Sequence, residues 1–134
     1  MPRLPLLAIP LAFLVAGCGS GAAKPFVPGA TAACLRQHGF SASTADTRVP
    51  LVASTAANGG LIAAPKQGGN TLVIGFGADT PDASNLERAF RRVAPPRYRA
   101  HIRDVMTSKR NAVLLWTVSP TPDQQQTALA CLQS

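Results

Sequence analysis

Residues 70–90 read NTLVIGFGADTPDASNLERAF, and 41 positions later residues 111–131 read NAVLLWTVSPTPDQQQTALAC. Each stretch opens on Asn, runs through five or more apolar residues, and reaches Thr-Pro-Asp ahead of a helix-forming segment. Leu72, Ile74 and Phe76 alternate, as the exposed and buried faces of a strand require. Leu86, Ala89, Phe90 and Val93 then recur at i, i+3, i+4 and i+7, the stripe of an amphipathic helix. Thr80 suits an N-cap, Pro81 the first helical position, and Asp82 opposes the helix dipole. Thr121-Pro122-Asp123-Gln124 has the same form and adds the Gln of a capping box. Pro95-Pro96 stops the first helix.

The same 41-residue offset lays Leu61–Ala64 over Ile102–Val105. Leu61–Ala64, the turn residues Pro65-Lys66-Gln67-Gly68-Gly69 and the run from Asn70 predict a β-hairpin. The segment Tyr98–Met106 fits two patterns. Tyr98, Ile102, Val105 and Met106 share a helical face, whereas Tyr98, Ala100 and Ile102 share a strand face with Arg99, His101 and Arg103 opposite. The repeat favours the strand, with Ser108–Asn111 as the following turn. Upstream, Pro28–His38 predicts a helix closed by Gly39 at the left-handed C′ position. Ser41–Gly60 is small and polar and reads mostly as loop. The expectation is an α+β fold in the order α-ββα-ββα, a tandem ββα pair. Its mostly antiparallel sheet of about four strands should carry helices on one face.

The first 18 residues concern location. Met1–Arg3 is a basic start and Leu4–Ala16 an apolar run, short of the roughly 20 residues that span a bilayer. Val15-Ala16-Gly17-Cys18 resembles the lipobox of bacterial lipoproteins. The resemblance implies cleavage before Cys18, diacylation of its thiol, and an extracytoplasmic domain held on the membrane of the cell envelope. Two acyl chains hold firmly where one holds marginally. The expected organisation is a signal peptide over 1–17, a Gly/Ala/Pro-rich tether over 18–30 and one domain over 31–134. The stretch Cys34-Leu35-Arg36-Gln37-His38-Gly39, with a late second cysteine, also looks like small lipoproteins of high-GC bacteria. That likeness carries an address and no chemistry.

In an exported chain the two remaining cysteines, Cys34 and Cys131, are expected to pair. Cys34 and His38 are spaced for metal binding on a helix, but neither a second His nor an acidic residue is near in sequence. The disulfide is the expectation, with no metal site.

No G-x-S-x-G, H-E-x-x-H or C-x-x-C pattern occurs. Gly75-x-Gly77 falls between a strand and a helix, yet Thr80 stands where a dinucleotide fingerprint needs its third Gly. No cofactor is called for. His101 with a Ser or Asp partner could form a nucleophile–base pair, but no spacing points to one. The distinctive feature is charge. The chain carries +7, or +6 once Arg3 leaves with the leader. Arg88, Arg91, Arg92, Arg97, Arg99, Arg103, Lys109 and Arg110 are concentrated in one segment. Such a cluster attracts anionic partners. Nucleic acid is disfavoured because the chain is exported and its aromatic stacking platform, one Trp, one Tyr and five Phe, is thin. The expected function is therefore binding or scaffolding at the envelope. Arg91, Arg92, Arg99, His101, Arg103, Lys109 and Arg110 would face anionic lipid head groups or cell-wall polymers. The alternative is a small envelope hydrolase or ligand carrier with its site on the uncovered sheet face.

Overall fold

The computed structural model describes residues 23–45 and 47–134. The expected signal peptide, Cys18 and the first part of the tether lie outside the described residues. Helix α1 (Pro28–Gln37) is followed by β1 (Phe40–Ser43), α2 (Leu51–Ser54), β2 (Gly60–Pro65), β3 (Leu72–Phe76) and α3 (Thr80–Val93). Two single-turn helices, α4 (Pro96–Arg99) and α5 (Ile102–Val105), lead into β4 (Met106–Lys109), β5 (Ala112–Trp116) and α6 (Pro122–Ala130). All strand pairs are antiparallel, in the order β1-β2-β3-β5-β4. The fold is α+β, as expected.

The two quoted stretches form the centre of this sheet. β3 pairs with β5 from Leu72↔Trp116 to Phe76↔Ala112. The two asparagines extend the ladder at both ends. The Asn70 side chain accepts from Val118 N (2.9 Å) and donates to Val118 O (2.7 Å). At the other end Asn111 Nδ2 donates to Gly77 O at 2.8 Å, and Gly77 N donates to Asn111 O at 2.7 Å. The asparagines are thus side-chain substitutes for strand hydrogen bonds where the strands end.

The expectation of helices on one face is corrected by the register. Ile74 stands opposite Leu114, but the sequence offset equates it with Leu115. That odd step turns equivalent residues to opposite faces. On the face of Gly75, the side chains of Phe90 and Leu86 from α3 come within 3.5 and 3.6 Å of where a Cβ would be. Its equivalent, Trp116, faces the other way: its indole N–H donates to Gln125 of α6 at 2.9 Å. Gln125 also donates to Thr107 of β4 at 2.8 Å. So α3 and α6 cover opposite faces, and every residue of β3 is buried.

Four further expectations change. Ser41–Gly60 contains the edge strand β1, paired with β2, and the short helix α2 beneath Gly60 and Gly75. Tyr98–Met106 is not a strand: it forms α4 and α5, and β4 begins only at Met106, so the sheet has five strands. Ser108 and Lys109 belong to β4, and the turn is Arg110-Asn111, with Arg110 at φ 53°. The folded unit also starts before residue 31. Phe26 is buried against Asn111, and Val27 N donates to Gln133 O at 2.8 Å. The helix end at Gly39 is as expected, with φ 83°.

Candidate anion-binding surface and apolar pocket

Helix α3 separates two chemistries. Ala83, Leu86 and Phe90 are buried on the sheet, while Arg88, Arg91 and Arg92 are exposed. Its N-cap is Asp79, which accepts from Asp82 N at 2.8 Å, so the helix starts one residue earlier than the Thr-Pro pattern predicts. Asp82 in turn accepts from Ala78 N at 2.9 Å. Gly77 permits this close start, since a Cβ there would lie 2.9 Å from Ala83 N. The Gly-x-Gly pattern therefore serves packing.

At the other end of α3, Pro95-Pro96 turns the chain into α4 and brings Arg99 back. Arg99 Nε donates to Ala94 O at 3.0 Å, and its Nη2 reaches Arg92 O at 3.5 Å. The guanidinium satisfies carbonyls at the helix end, where positive charge also complements the dipole. Arg88, Arg91, Arg92 and Arg99 together line an open depression of about 440 Å3. Among the described residues none of the four pairs with a carboxylate; Arg88 donates to its neighbour Asn85.

The remaining predicted residues do not join them as one strand face. His101 and Arg103 are exposed at α5, and His101 Nδ1 lies 3.7 Å from Asp104 Oδ2. Lys109 and Arg110 sit at the β4–β5 turn. Arg110 lies over the Phe26 ring at 4.2 Å, donates to Lys24 O, and borders Asp79 and Thr80 at the start of α3. A 14-residue helix is about 21 Å long. The basic segment is thus divided between the two ends of α3. Arg88, part of the basic segment in the sequence but not among the residues expected to face the anion, lines the same depression.

Beside the arginines the sheet carries a feature that the sequence reading missed. Val73 and Leu115, with Phe90 and Val93 from α3 and Tyr98, Ile102 and Val105 from the short helices, enclose an apolar pocket of about 280 Å3. Tyr98, Ile102 and Val105 are the face that the helical reading of this segment had picked out. On the same sheet face, β1 and β2 leave a second hollow of about 300 Å3, lined by Ser41, Ser43, Ile62, Ala64 and Arg48 among others. Neither histidine lines it.

Cys34 and Cys131 are joined, with Cα atoms 5.3 Å apart, in the ordinary disulfide range. His38 Nδ1 donates to Cys34 O at 2.9 Å and lies 3.7 and 3.6 Å from the two sulfurs. The three ligand-type atoms fall within 4.8 Å of one another, a convergence that only the fold reveals. Bonded to each other, however, the sulfurs are not thiolates, the form that binds metals. Comparison with protein-family models, with curated proteins and with solved structures gives no match.

Proposed function

We propose that this chain is a lipid-anchored binding protein of the bacterial cell envelope. Cys18, diacylated after loss of residues 1–17, holds it to the membrane. The cluster of Arg88, Arg91, Arg92 and Arg99 engages anionic lipid head groups or cell-wall polymers. The observation that carries the binding role is the gathering of four guanidinium groups around one depression, without a carboxylate partner among the described residues. Guanidinium forks match phosphate and carboxylate oxygens in pairs. Near an anionic surface each contributes about 1 kcal/mol. A lipid anchor keeps the domain at high effective concentration over that surface, so individually weak contacts suffice. The anchor itself rests on the lipobox resemblance and the apolar leader.

A carrier role is the second reading, favoured by the apolar pocket beside the cluster. The anchor is tested by intact mass of membrane-extracted protein: cleavage before Cys18 with added acyl mass supports it, and an unmodified chain starting elsewhere refutes it. The anionic partner is tested by association of residues 19–134 with anionic vesicles, neutral vesicles and purified wall polymers. This span keeps Phe26 in place. Binding to an anionic partner that weakens with salt supports the reading; equal binding to neutral vesicles refutes it.

A further inference from the structure

We infer that the apolar pocket beside α3 accepts one acyl chain of an anionic membrane lipid whose head group is held by the arginine cluster. This rests on the proposed anionic-surface reading and names its ligand class.

Three observations lead to it. The pocket wall is almost wholly hydrocarbon: Val73, Phe90, Val93, Ile102, Val105 and Leu115 supply most of it. Such a lining suits a guest without charge or hydrogen-bonding groups along its length. Its surroundings are also apolar. Among the described residues the exposed large hydrophobic ones are Leu51 (76%), Val93 (64%) and Val118 (58%). Val93 lines the pocket, and the other two adjoin the lining residues Pro50 and Thr117 in sequence. Last, positive charge adjoins the pocket. Arg99 Nε bonds the carbonyl of Ala94, and Ala94 is itself a lining residue. Arg92 directly precedes Val93 in α3. A hydrocarbon cavity next to guanidinium groups is complementary to an amphiphile with an anionic head and an apolar tail. A neutral apolar ligand would leave the charges unused. A free polyanion would leave the pocket and its exposed apolar surroundings unused.

The indole of Trp116, the one tryptophan in the chain, lies on the opposite sheet face against Gln125, so the reporter is a tryptophan placed in the pocket wall by Tyr98→Trp, with Trp116→Phe removing the native one. The lipidated protein with these two substitutions is reconstituted in phosphatidylcholine vesicles. These contain a phosphatidylglycerol brominated in mid-chain or, at the same fraction, an equally brominated phosphatidylcholine. Bromine quenches tryptophan on contact, and docking at head-group level leaves mid-chain bromine out of reach of the pocket tryptophan. The expected result is several-fold stronger quenching by the anionic lipid. Val93→Glu, at an exposed site, and Val105→Phe, which fills the pocket, should both reduce it while circular dichroism is unchanged. Arg91→Glu with Arg92→Glu should remove the preference between lipids.

Quenching by neither lipid, with salt-sensitive vesicle association intact, overturns acyl insertion and leaves the proposed function standing. Equal quenching by both lipids, indifferent to the arginine reversal, overturns the anionic-lipid assignment. If salt-sensitive association with anionic surfaces is absent as well, the proposed function fails with it.

Discussion

Replacing Asn111 with Ala should destabilise the protein by about 3 kcal/mol, and its counterpart Asn70 should cost far less. Asn111 is 2% exposed. Its Oδ1 accepts from Phe26 N at 2.8 Å, and its Nδ2 donates to Phe26 O at 3.0 Å and Gly77 O at 2.8 Å. Gly77 O keeps a second donor in Asn58 at 3.0 Å, so truncation orphans chiefly the two Phe26 groups. A buried polar group without a partner costs about 1–3 kcal/mol. The alternative is for the segment to peel away and rehydrate, which gives up burial of the Phe26 ring at about 1.5–3 kcal/mol. Either route leads to a similar total. Asn70 holds only Val118, which is already exposed, so its partners rehydrate in place at about 1 kcal/mol.

Asn111→Asp adds a sharper test. It preserves shape and the acceptor for Phe26 N, yet turns a carboxylate oxygen toward two carbonyls. It should be at least as damaging as Ala at neutral pH. Burial raises the folded-state pKa of such a carboxyl, so the penalty should shrink as pH falls and the protonated group can donate. The assay is urea unfolding followed by Trp116 fluorescence, with the disulfide intact. If Asn111→Ala lies within 1 kcal/mol of wild type, or costs no more than Asn70→Ala, the ladder-end account is wrong.

Replacing both Cys34 and Cys131 by Ala should cost about 4–5 kcal/mol in urea unfolding, because the bridge closes a separation of 97 residues. Thr121→Ala should cost about 1 kcal/mol through loss of the capping box, and Asp79→Ala a similar amount, by the same assay. Arg99→Ala should lower both stability, by about 1 kcal/mol, and vesicle binding, since this side chain also holds Ala94 O; Arg91→Ala should lower binding alone. Gly60→Ala should lower the unfolding midpoint, because a Cβ there would stand 2.6 Å from Ala53 O.

Strong local signals made the sheet centre and its flanking helices legible. The Asn-led apolar runs became β3 and β5, and the Thr-Pro-Asp starts became α3 and α6. The offset between these stretches could not disclose the face of each helix. That depends on whether the equivalent of Ile74 pairs with it or stands one residue beyond, a property of register alone. The segment Tyr98–Met106 went astray because the repeat outweighed the 3.6-residue spacing of Tyr98, Ile102 and Val105, which the structure follows. β1 and α2 were hidden because FSAS and LVAS carry little periodic contrast and gain their order from β2 and β3. Of the candidate site, the disulfide was legible from cysteine number and the predicted compartment. The arginine cluster was legible as a charge run, but its division between the ends of α3 was not. The pocket needs four separate segments at once, at Pro50, at Val73, from Phe90 to Val105 and from Leu115 to Thr117, and no local pattern announces it.

The central claim is that Arg88, Arg91, Arg92 and Arg99 bind an anionic envelope surface. Its most direct test is the affinity of residues 19–134 for vesicles of rising anionic-lipid content, for wild type and for Arg91→Glu with Arg92→Glu. At about 1 kcal/mol per cation near the surface, reversing two charges shifts binding by about 4 kcal/mol, on the order of a thousandfold. The account predicts wild-type affinity that climbs with anionic content and collapses in high salt, and a reversed variant that remains folded and unbound. Wild-type binding that ignores anionic content, or a reversed variant that binds as well, would contradict it.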